Sequence, residues 1–296
     1  MTQTPSLAVS IGQSIGPYRI EALLGAGGMG VVYLAHDSEL GRRVAIKLVD
    51  REYADHDSTR LLLREARATA ALNHPAICGV HQVGHLGDRA FIVLEHVEGT
   101  PLSNMIPCDR GLPLERAIHY AIDIVDAVAH AHERGVVHGD LKASNVMIGP
   151  GGRVKVLDFG LAVRREADGA AAAAAETTRS RESRWAAGTV AYMSPELLRG
   201  QVADPRSDIW AIGVVMFEML AGSRPFRGAT GYELAARILD GAPGALSGRV
   251  PLDLRRLVSR CLARHPTDRF ASARDLALAL DDLSLTGAAK VHGRAV

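Results

Sequence analysis

Between Tyr18 and Glu95 the apolar residues come in short runs and alternations that predict strands. Val31-Val32-Tyr33-Leu34-Ala35 and Arg43-Val44-Ala45-Ile46-Lys47-Leu48 flank a turn at Glu39-Leu40-Gly41, and two further strands are expected near Gly79 to Leu86 and Arg89 to Glu95. From Ser58 to Leu72 the period changes. Leu61, Leu62, Glu65, Ala68 and Leu72 recur at spacings of three and four, which predicts a helix. Asn73-His74-Pro75 ends it, because proline disfavours helical geometry in the residue before it.

After Glu98-Gly99-Thr100-Pro101 the pattern is helical almost throughout. Leu114 to Arg134 carries an apolar stripe of Ile118, Ile122, Val125, Val128 and Ala129, and Gly135 closes it. Ser207-Asp208 begins a mostly apolar stretch through Leu220, which predicts a largely buried helix. Tyr232 to Leu239, Leu254 to Ala263 and Ala273 to Leu283 are shorter candidates, while Val136-Val137 and Val154 to Leu157 read as strands. Strands followed by helices predict an α+β fold. Residues 1–16 read as a flexible leader and 286–296 as a disordered tail. The six alanines Ala170 to Ala175 favour a helix intrinsically, but a short isolated run is marginal because nucleation is costly. With Glu176-Thr177-Thr178-Arg179-Ser180 they read as a mobile insert.

Composition narrows the classes without choosing among them. With 296 residues, 47% hydrophobic and 23% charged, the chain can bury a sizeable core. Basic and acidic side chains number 34 and 33, and a net charge of +1 supplies no broad field for nucleic acid. Cys78, Cys108 and Cys261 lack metal-ligand spacing and suggest reduced thiols in a cytoplasmic setting. The start Met1-Thr2-Gln3-Thr4-Pro5 is not that of a signal peptide. Ile209 to Gly222 is too short to span a bilayer and contains Glu218, so no membrane segment is expected.

The candidate chemistry is an ordered series of phosphate-handling residues. Gly25-Ala26-Gly27-Gly28-Met29-Gly30 would let backbone approach phosphate oxygens without an intervening Cβ. A dinucleotide site would need a helix directly after such glycines, whereas Val31-Val32-Tyr33 follow here and predict a strand hairpin. Lys47 closes Val44-Ala45-Ile46-Lys47, seventeen positions after Gly30, and suits a phosphate contact. Glu65 on the next helix is the carboxylate placed to orient it, in preference to Glu52 in a connecting segment. Asp140 and Asn145 lie five residues apart in a turn-forming segment, and Asp158 follows an apolar strand. Asp140 suits orienting a hydroxyl and accepting its proton. Asn145 and Asp158 offer the few oxygens that magnesium takes alongside phosphates and water. Each residue alone could be a turn cap or a solvated charge; the ordered set argues against that for all of them together.

These motifs, with Asp158-Phe159-Gly160, Ala191 to Glu196, Ser207 to Gly213 and His265 to Phe270, resemble the eukaryotic-like Ser/Thr protein kinases, particularly their bacterial branch, over residues 18 to 283. The resemblance implies a two-lobed domain over 17–285, with a small β-rich N-lobe (17–95), a hinge (95–99) and a larger helical C-lobe (100–285), and ATP in the cleft. It implies transfer of the ATP γ-phosphoryl group to protein Ser/Thr hydroxyls with Mg2+, or Mn2+ in its place, and autophosphorylation. Leu24, Val32, Ala45, Met147 and Leu157 would hold adenine, with Leu94 as gatekeeper and Glu95 to Val97 as hinge. Gly25, Gly27, Gly28, Gly30, Lys47 and Glu65 would serve the phosphates. Lys142, two residues after Asp140, follows the Ser/Thr-kinase pattern, and Thr189 would tether Asp140 and shape the acceptor site. Glu196 and Arg269 would form a buried ion pair, Asp208 would brace the catalytic loop, and His138 and Phe159 would join an apolar column.

Two positions depart from the pattern. Gly139 stands where many relatives have arginine, so activation-loop phosphorylation at Thr177, Thr178, Ser180 or Ser183 is expected to matter less for activity. Ser194 replaces the alanine of Ala-Pro-Glu. A nucleotide-binding pseudokinase is the alternative from another class. It usually lacks one of the residues corresponding to Lys47, Asp140 and Asp158, and all three are present. A small-molecule kinase on the same fold is disfavoured by Gly188-Thr189 and Ser194-Pro195-Glu196, which build a peptide shelf in relatives. Partners are thus expected to be protein substrates, with no nucleic acid; the sequence leaves the oligomeric state open.

Overall fold

The computed structural model describes residues 9–27, 30–49, 66–87, 89–159 and 187–292. Gly28, Glu65 and the insert with Thr177, Thr178, Ser180 and Ser183 lie outside them. The chain divides into two compact units, one of Met1–Asn73 with Cys78–Val97 and one of His74–Ile77 with Glu98–Val296. The architecture is α+β: the first unit is built on an antiparallel sheet, and the second is mainly helical.

Six strands form the sheet of the first unit: β1 (Ser14–Ile15), β2 (Tyr18–Gly27), β3 (Gly30–Asp37), β4 (Arg42–Val49), β5 (Val80–Leu86) and β6 (Arg89–Glu95). Their order is β1-β2-β3-β4-β6-β5. Period-two alternation on β3 buries Tyr33, Ala35 and Asp37 on one face. The hairpin from β3 to β4 is closed by Asp37, whose Oδ1 accepts the N–H groups of Glu39 and Leu40 at 3.1 Å each. Gly41 supplies the left-handed residue of that turn, at φ 62°. The Tyr18 hydroxyl on β2 donates to the Gln82 side chain on β5, so the sheet curls enough to bring non-neighbouring strands together.

The leader is not loose from residue 9 onward. Ser14 and Ile15 pair with Arg19 and Tyr18, Gly12 N–H donates to Ile20 O at 2.9 Å, and Val9 and Ile15 are buried in the core with Ile20, Tyr33, Ile46 and Val93. Single apolar residues in a polar stretch carry no periodicity, so only the sheet that receives them shows their role. Lys47 is likewise not at a strand end. The strand continues to Val49, and Lys47 pairs with Val32 and Ile92 on either side.

In the second unit, β7 (Thr100–Pro101), β8 (Val146–Ile148) and β9 (Val154–Val156) form a small antiparallel sheet. The five longer helices are α1 (Leu114–His132), α2 (Pro205–Ala221), α3 (Gly231–Asp240), α4 (Leu252–Cys261) and α5 (Ala273–His292). Helix α1 packs on α5, α2 and β9. Its fully buried residues include Ala117, Tyr120, Ala121 and Ile124, whereas Ile118 and Ile122 of the expected stripe are only half-buried. A helix with neighbours on several sides buries a broader face than one stripe. Gly135 beyond its end takes φ 72°.

Helix α2 is buried along most of its length, as its sequence predicts. Asp204 caps it, accepting the Ser207 N–H at 2.9 Å, and Pro205 occupies the first turn, where no amide donor is needed. Gly222 ends it at φ 71°, in a position where a Cβ would collide with the Pro107 carbonyl oxygen. Val136-Val137 form no strand; they lead from α1 into a segment held by side-chain bonds. Helix α5 does not stop at Leu283: its backbone continues to His292, into the expected disordered tail, through a stretch that includes the strong helix formers Ala288, Ala289 and Lys290.

Candidate active site

Asp208, buried in the first turns of α2, organises the loop after α1. Its Oδ2 accepts the His138 N–H at 2.8 Å and faces His132 Nε2 at 2.8 Å, while Oδ1 accepts the Gly139 N–H at 2.9 Å. These bonds hold Gly139 at φ 76°, a conformation glycine adopts without the steric cost of a Cβ. A side chain here would strain the loop, which gives the departure at 139 a backbone reason. His132 escaped the sequence reading: it closes an ordinary amphipathic helix, and nothing in the local pattern links it to Asp208.

His138 is fully buried and carries two opposed bonds. Its Nε2 lies 3.0 Å from the Leu157 carbonyl and its Nδ1 3.3 Å from the Asp140 N–H. A carbonyl only accepts and an amide only donates, so the two contacts suit a proton on Nε2 and a lone pair on Nδ1. It packs on Phe159, with centroids 4.7 Å apart. The Leu157 N–H donates to Asn145 O at 2.8 Å, which ties the end of β9 to the turn Ala143–Asn145. The structure thus brings Asp140, Asn145 and Leu157 together, with Asp158 next in the chain.

Asp140 is partly exposed and made specific by two neighbours. Lys142 Nζ donates to its Oδ2 at 2.7 Å; Asn145 Nδ2 donates to its main-chain carbonyl at 2.9 Å and to Oδ2 at 3.4 Å. Among the described residues no hydrogen bond reaches Asp140 Oδ1, and the side chain is 26% exposed. Asn145 commits its amide nitrogen to Asp140 and keeps its side-chain oxygen as an acceptor. Asp158 takes φ 58°, an uncommon conformation for a residue with a Cβ and one that clusters at functional positions. Two hard oxygen donors of this kind fit a divalent ion that completes its shell with phosphate and water. Among the described residues no group of three or more His, Cys, Asp or Glu could hold a metal ion by itself.

Thr189 sits in the short helical turn Ala187–Val190, half-buried, and no hydrogen bond joins it to Asp140 among the described residues. Met147 and Leu157, on and after the small sheet, are half-buried. Behind the loop, Arg269 and Glu196 form the ion pair expected from the resemblance, at 2.6 and 2.8 Å, both side chains almost wholly buried. Burial by itself would raise the Glu196 carboxyl, but hydrogen bonding and charge from Arg269 prevail and hold it below the usual range.

The other expected residues belong to the first unit and are described there by themselves. Gly27 pairs with Gly30 across the glycine-rich turn. Gly30 takes φ 136°, and a Cβ there would strike the Leu48 carbonyl oxygen, so only glycine fits. Gly25 differs: a Cβ there would meet open space, which is room for a ligand to approach its backbone. Lys47 is 7% exposed, unusual for a lysine in the middle of a strand and a sign of a specific role. Ala45 and Leu94 pair across β4 and β6 and are buried, Val32 is half-buried and Leu24 is half exposed. Glu95 is fixed by Gly79, whose N–H donates to its Oε2 at 3.1 Å and whose carbonyl accepts its N–H at 2.8 Å; Val97 follows.

Against known proteins, the family model described as the protein kinase domain matches residues 18–278. The chain belongs to the protein kinase family. Among curated relatives of this kinase, Serine/threonine-protein kinase PrkC of Bacillus subtilis is 36% identical over 271 residues, covering 90% of this chain and 40% of PrkC. Serine/threonine-protein kinase PknA of Mycobacterium tuberculosis is 36% identical over 263 residues, covering 87% of this chain and 59% of PknA. The chain therefore spans less than two thirds of the length of either, and it falls in the bacterial, Hanks-type branch. Among solved structures, the PknI kinase domain of Mycobacterium tuberculosis superposes with a TM-score of 0.70 at 26% identity, covering 94% of this chain and 99% of that one. The family uses ATP and a divalent metal. No helix among the described residues of this kinase is long and apolar enough to cross a membrane.

Proposed function

We propose that this kinase domain transfers the γ-phosphoryl group of ATP, with Mg2+, to Ser and Thr hydroxyls of proteins. The observation that carries the reading is the arrangement around Asp140. Its Oδ2 is held by Lys142 and Asn145, while Oδ1 is left to meet an acceptor hydroxyl. Asp140 orients that hydroxyl and takes its proton as the new bond forms. Lys142, 2.7 Å from Asp140, keeps a positive charge where negative charge accumulates during transfer. Asp208 fixes the loop backbone, so these groups need no reorganisation at the moment of reaction. Asn145 and Asp158 are assigned to hold the metal, which would neutralise phosphate charge, while the nucleotide would supply the group to be transferred.

In the first unit, Lys47 is assigned to the phosphates, with Glu65 orienting it and the backbone of Gly25, Gly27, Gly28 and Gly30 approaching them. Adenine is assigned to Leu24, Val32, Ala45, Leu94, Glu95 and Val97 there, and to Met147 and Leu157 in the second unit. Lys142 and Thr189 support Ser/Thr over Tyr as acceptor. Reduced thiols and a near-neutral charge support cytoplasmic protein substrates rather than nucleic acid. The test is labelled ATP with a degenerate Ser/Thr peptide library. Transfer by the native protein and its loss, by about a hundredfold or more, in Asp140→Asn is the expected result. Equal labelling by both proteins would reject the role given to Asp140; nucleotide binding without transfer by either would favour the pseudokinase reading.

A further inference from the structure

Next to Thr189 lies a charged group that phosphoryl transfer does not use. Tyr192 is buried and tied to the same turn, its N–H donating to the Thr189 carbonyl at 3.2 Å. Its hydroxyl donates to Oε2 of Glu218 on α2. Burial first, and the Glu218 carboxylate second, push the phenol pKa up, so Tyr192 stays a neutral donor. The other oxygen, Glu218 Oε1, faces Arg224 Nε at 3.6 Å, too far for a direct hydrogen bond. The Arg224 guanidinium lies over the Tyr192 ring, 5.2 Å from its centroid.

Exposure decides what this group presents. The Glu218 side chain is 14% exposed and that of Arg224 38%, so the carboxylate is covered and the cation meets solvent. Glu218 is the only acidic residue from 218 to 230, while Arg227 adds a second exposed guanidinium. Tyr192 already satisfies one carboxylate oxygen; the planar donor fork of Arg224 meets the other only loosely, also bonds to Tyr192, and stays 38% exposed among the described residues. That fork matches a carboxylate or a phosphate group.

We propose that Arg224 is a specificity-determining residue that favours acceptor segments carrying an anionic side chain near the Ser or Thr, with Glu218 and Tyr192 as positioning residues that hold it. The inference rests on the kinase reading above. It also implies that basic acceptor segments gain nothing here, because the carboxylate of this segment is already covered.

The experiment compares neutral Thr peptides with versions carrying Asp, phosphoserine or Arg at each flanking position, on native protein, Arg224→Ala and Arg224→Lys. For native protein, kcat/KM should rise about two- to fivefold for Asp at one or more positions, the scale of a partly exposed ion pair, through KM rather than kcat. Phosphoserine should do at least as well if the natural anion is a phosphate, and less well than Asp if it is a carboxylate. The ratio of acidic to neutral peptide should fall to about one in Arg224→Ala, with Arg peptides now preferred because Glu218 is uncovered, and recover in part in Arg224→Lys. Native transfer without any charge preference, or a preference unchanged in Arg224→Ala, overturns this inference and leaves the kinase reading standing. Absence of transfer to every peptide overturns both.

Discussion

Replacing Arg269 by Met should unfold the second unit far more readily than its distance from Asp140 suggests. The side chain is completely buried, and every guanidinium nitrogen is used. Nε donates to Ala263 O at 2.8 Å, Nη1 to Glu196 Oε1 at 2.6 Å and Arg206 O at 2.8 Å, and Nη2 to Glu196 Oε2 at 2.8 Å and Arg264 O at 3.3 Å. Arg269→Met would leave the 4%-exposed Glu196 with no counter-charge among the described residues, with the Ser207 hydroxyl at 3.2 Å still donating to it. Stranding one partner of a buried pair costs about 3–5 kcal/mol, which for a chain of this size, at roughly 1.6 °C per kcal/mol, is a fall in Tm of about 5–8 °C. The double variant Glu196→Gln/Arg269→Met should recover part of that loss, because no charge is then buried. Urea unfolding followed by fluorescence suits the test, since Arg269 sits 5.1 Å from the Trp210 ring.

The pH dependence supplies a second check. In the native protein the Glu196 carboxyl is held low, so its contribution is whole above its unfolded pKa and is lost only as pH falls through the folded value. In Arg269→Met burial acts unopposed and raises that carboxyl above its unfolded value. The variant's penalty is then largest near neutrality and shrinks as acid protonates Glu196, by at most about 1.4 kcal/mol per pH unit. The gap between native protein and variant should therefore narrow from pH 7 to pH 5. A single variant that loses under about 1 kcal/mol, or a double variant no more stable than the single, would refute the reasoning.

Other expectations follow from single contacts. Asp208→Ala strands the buried N–H of His138 and that of Gly139, and should cost about 2–5 kcal/mol in denaturant unfolding together with most of the turnover. Ile15→Ala should cost about 2–4 kcal/mol, measured the same way; a loose leader would show no change. Complete burial pushes the Cys261 thiol up to about 12, so in folded protein at pH 8 a thiol reagent should label exposed Cys108 and spare Cys261. Because its unfolded pKa is the lower one, stability should decline as pH rises above about 9, and Cys261→Ala should flatten that decline.

What could be read from the chain alone was whatever depends on local order. Strand alternation, the buried character of α2, the glycine closing α1 and the spacing of Lys47, Asp140, Asn145 and Asp158 are properties of neighbours in sequence, because backbone geometry imposes periods of 2 and 3.6 and chemistry imposes residue type. Tertiary structure decided the rest. Val9 and Ile15 became core only because a sheet edge receives them, and Ile118 gave way to Ala117 and Ile124 because α1 has neighbours on several sides. His132 reaches Asp208 across 76 positions, and Tyr192 reaches Glu218 across 26. Such contacts leave no periodic trace, since a hydrogen bond needs only that two groups meet in space. The chain order announces which chemistry the residues suit; the packing determines which oxygen of Asp140 is hydrogen-bonded among the described residues.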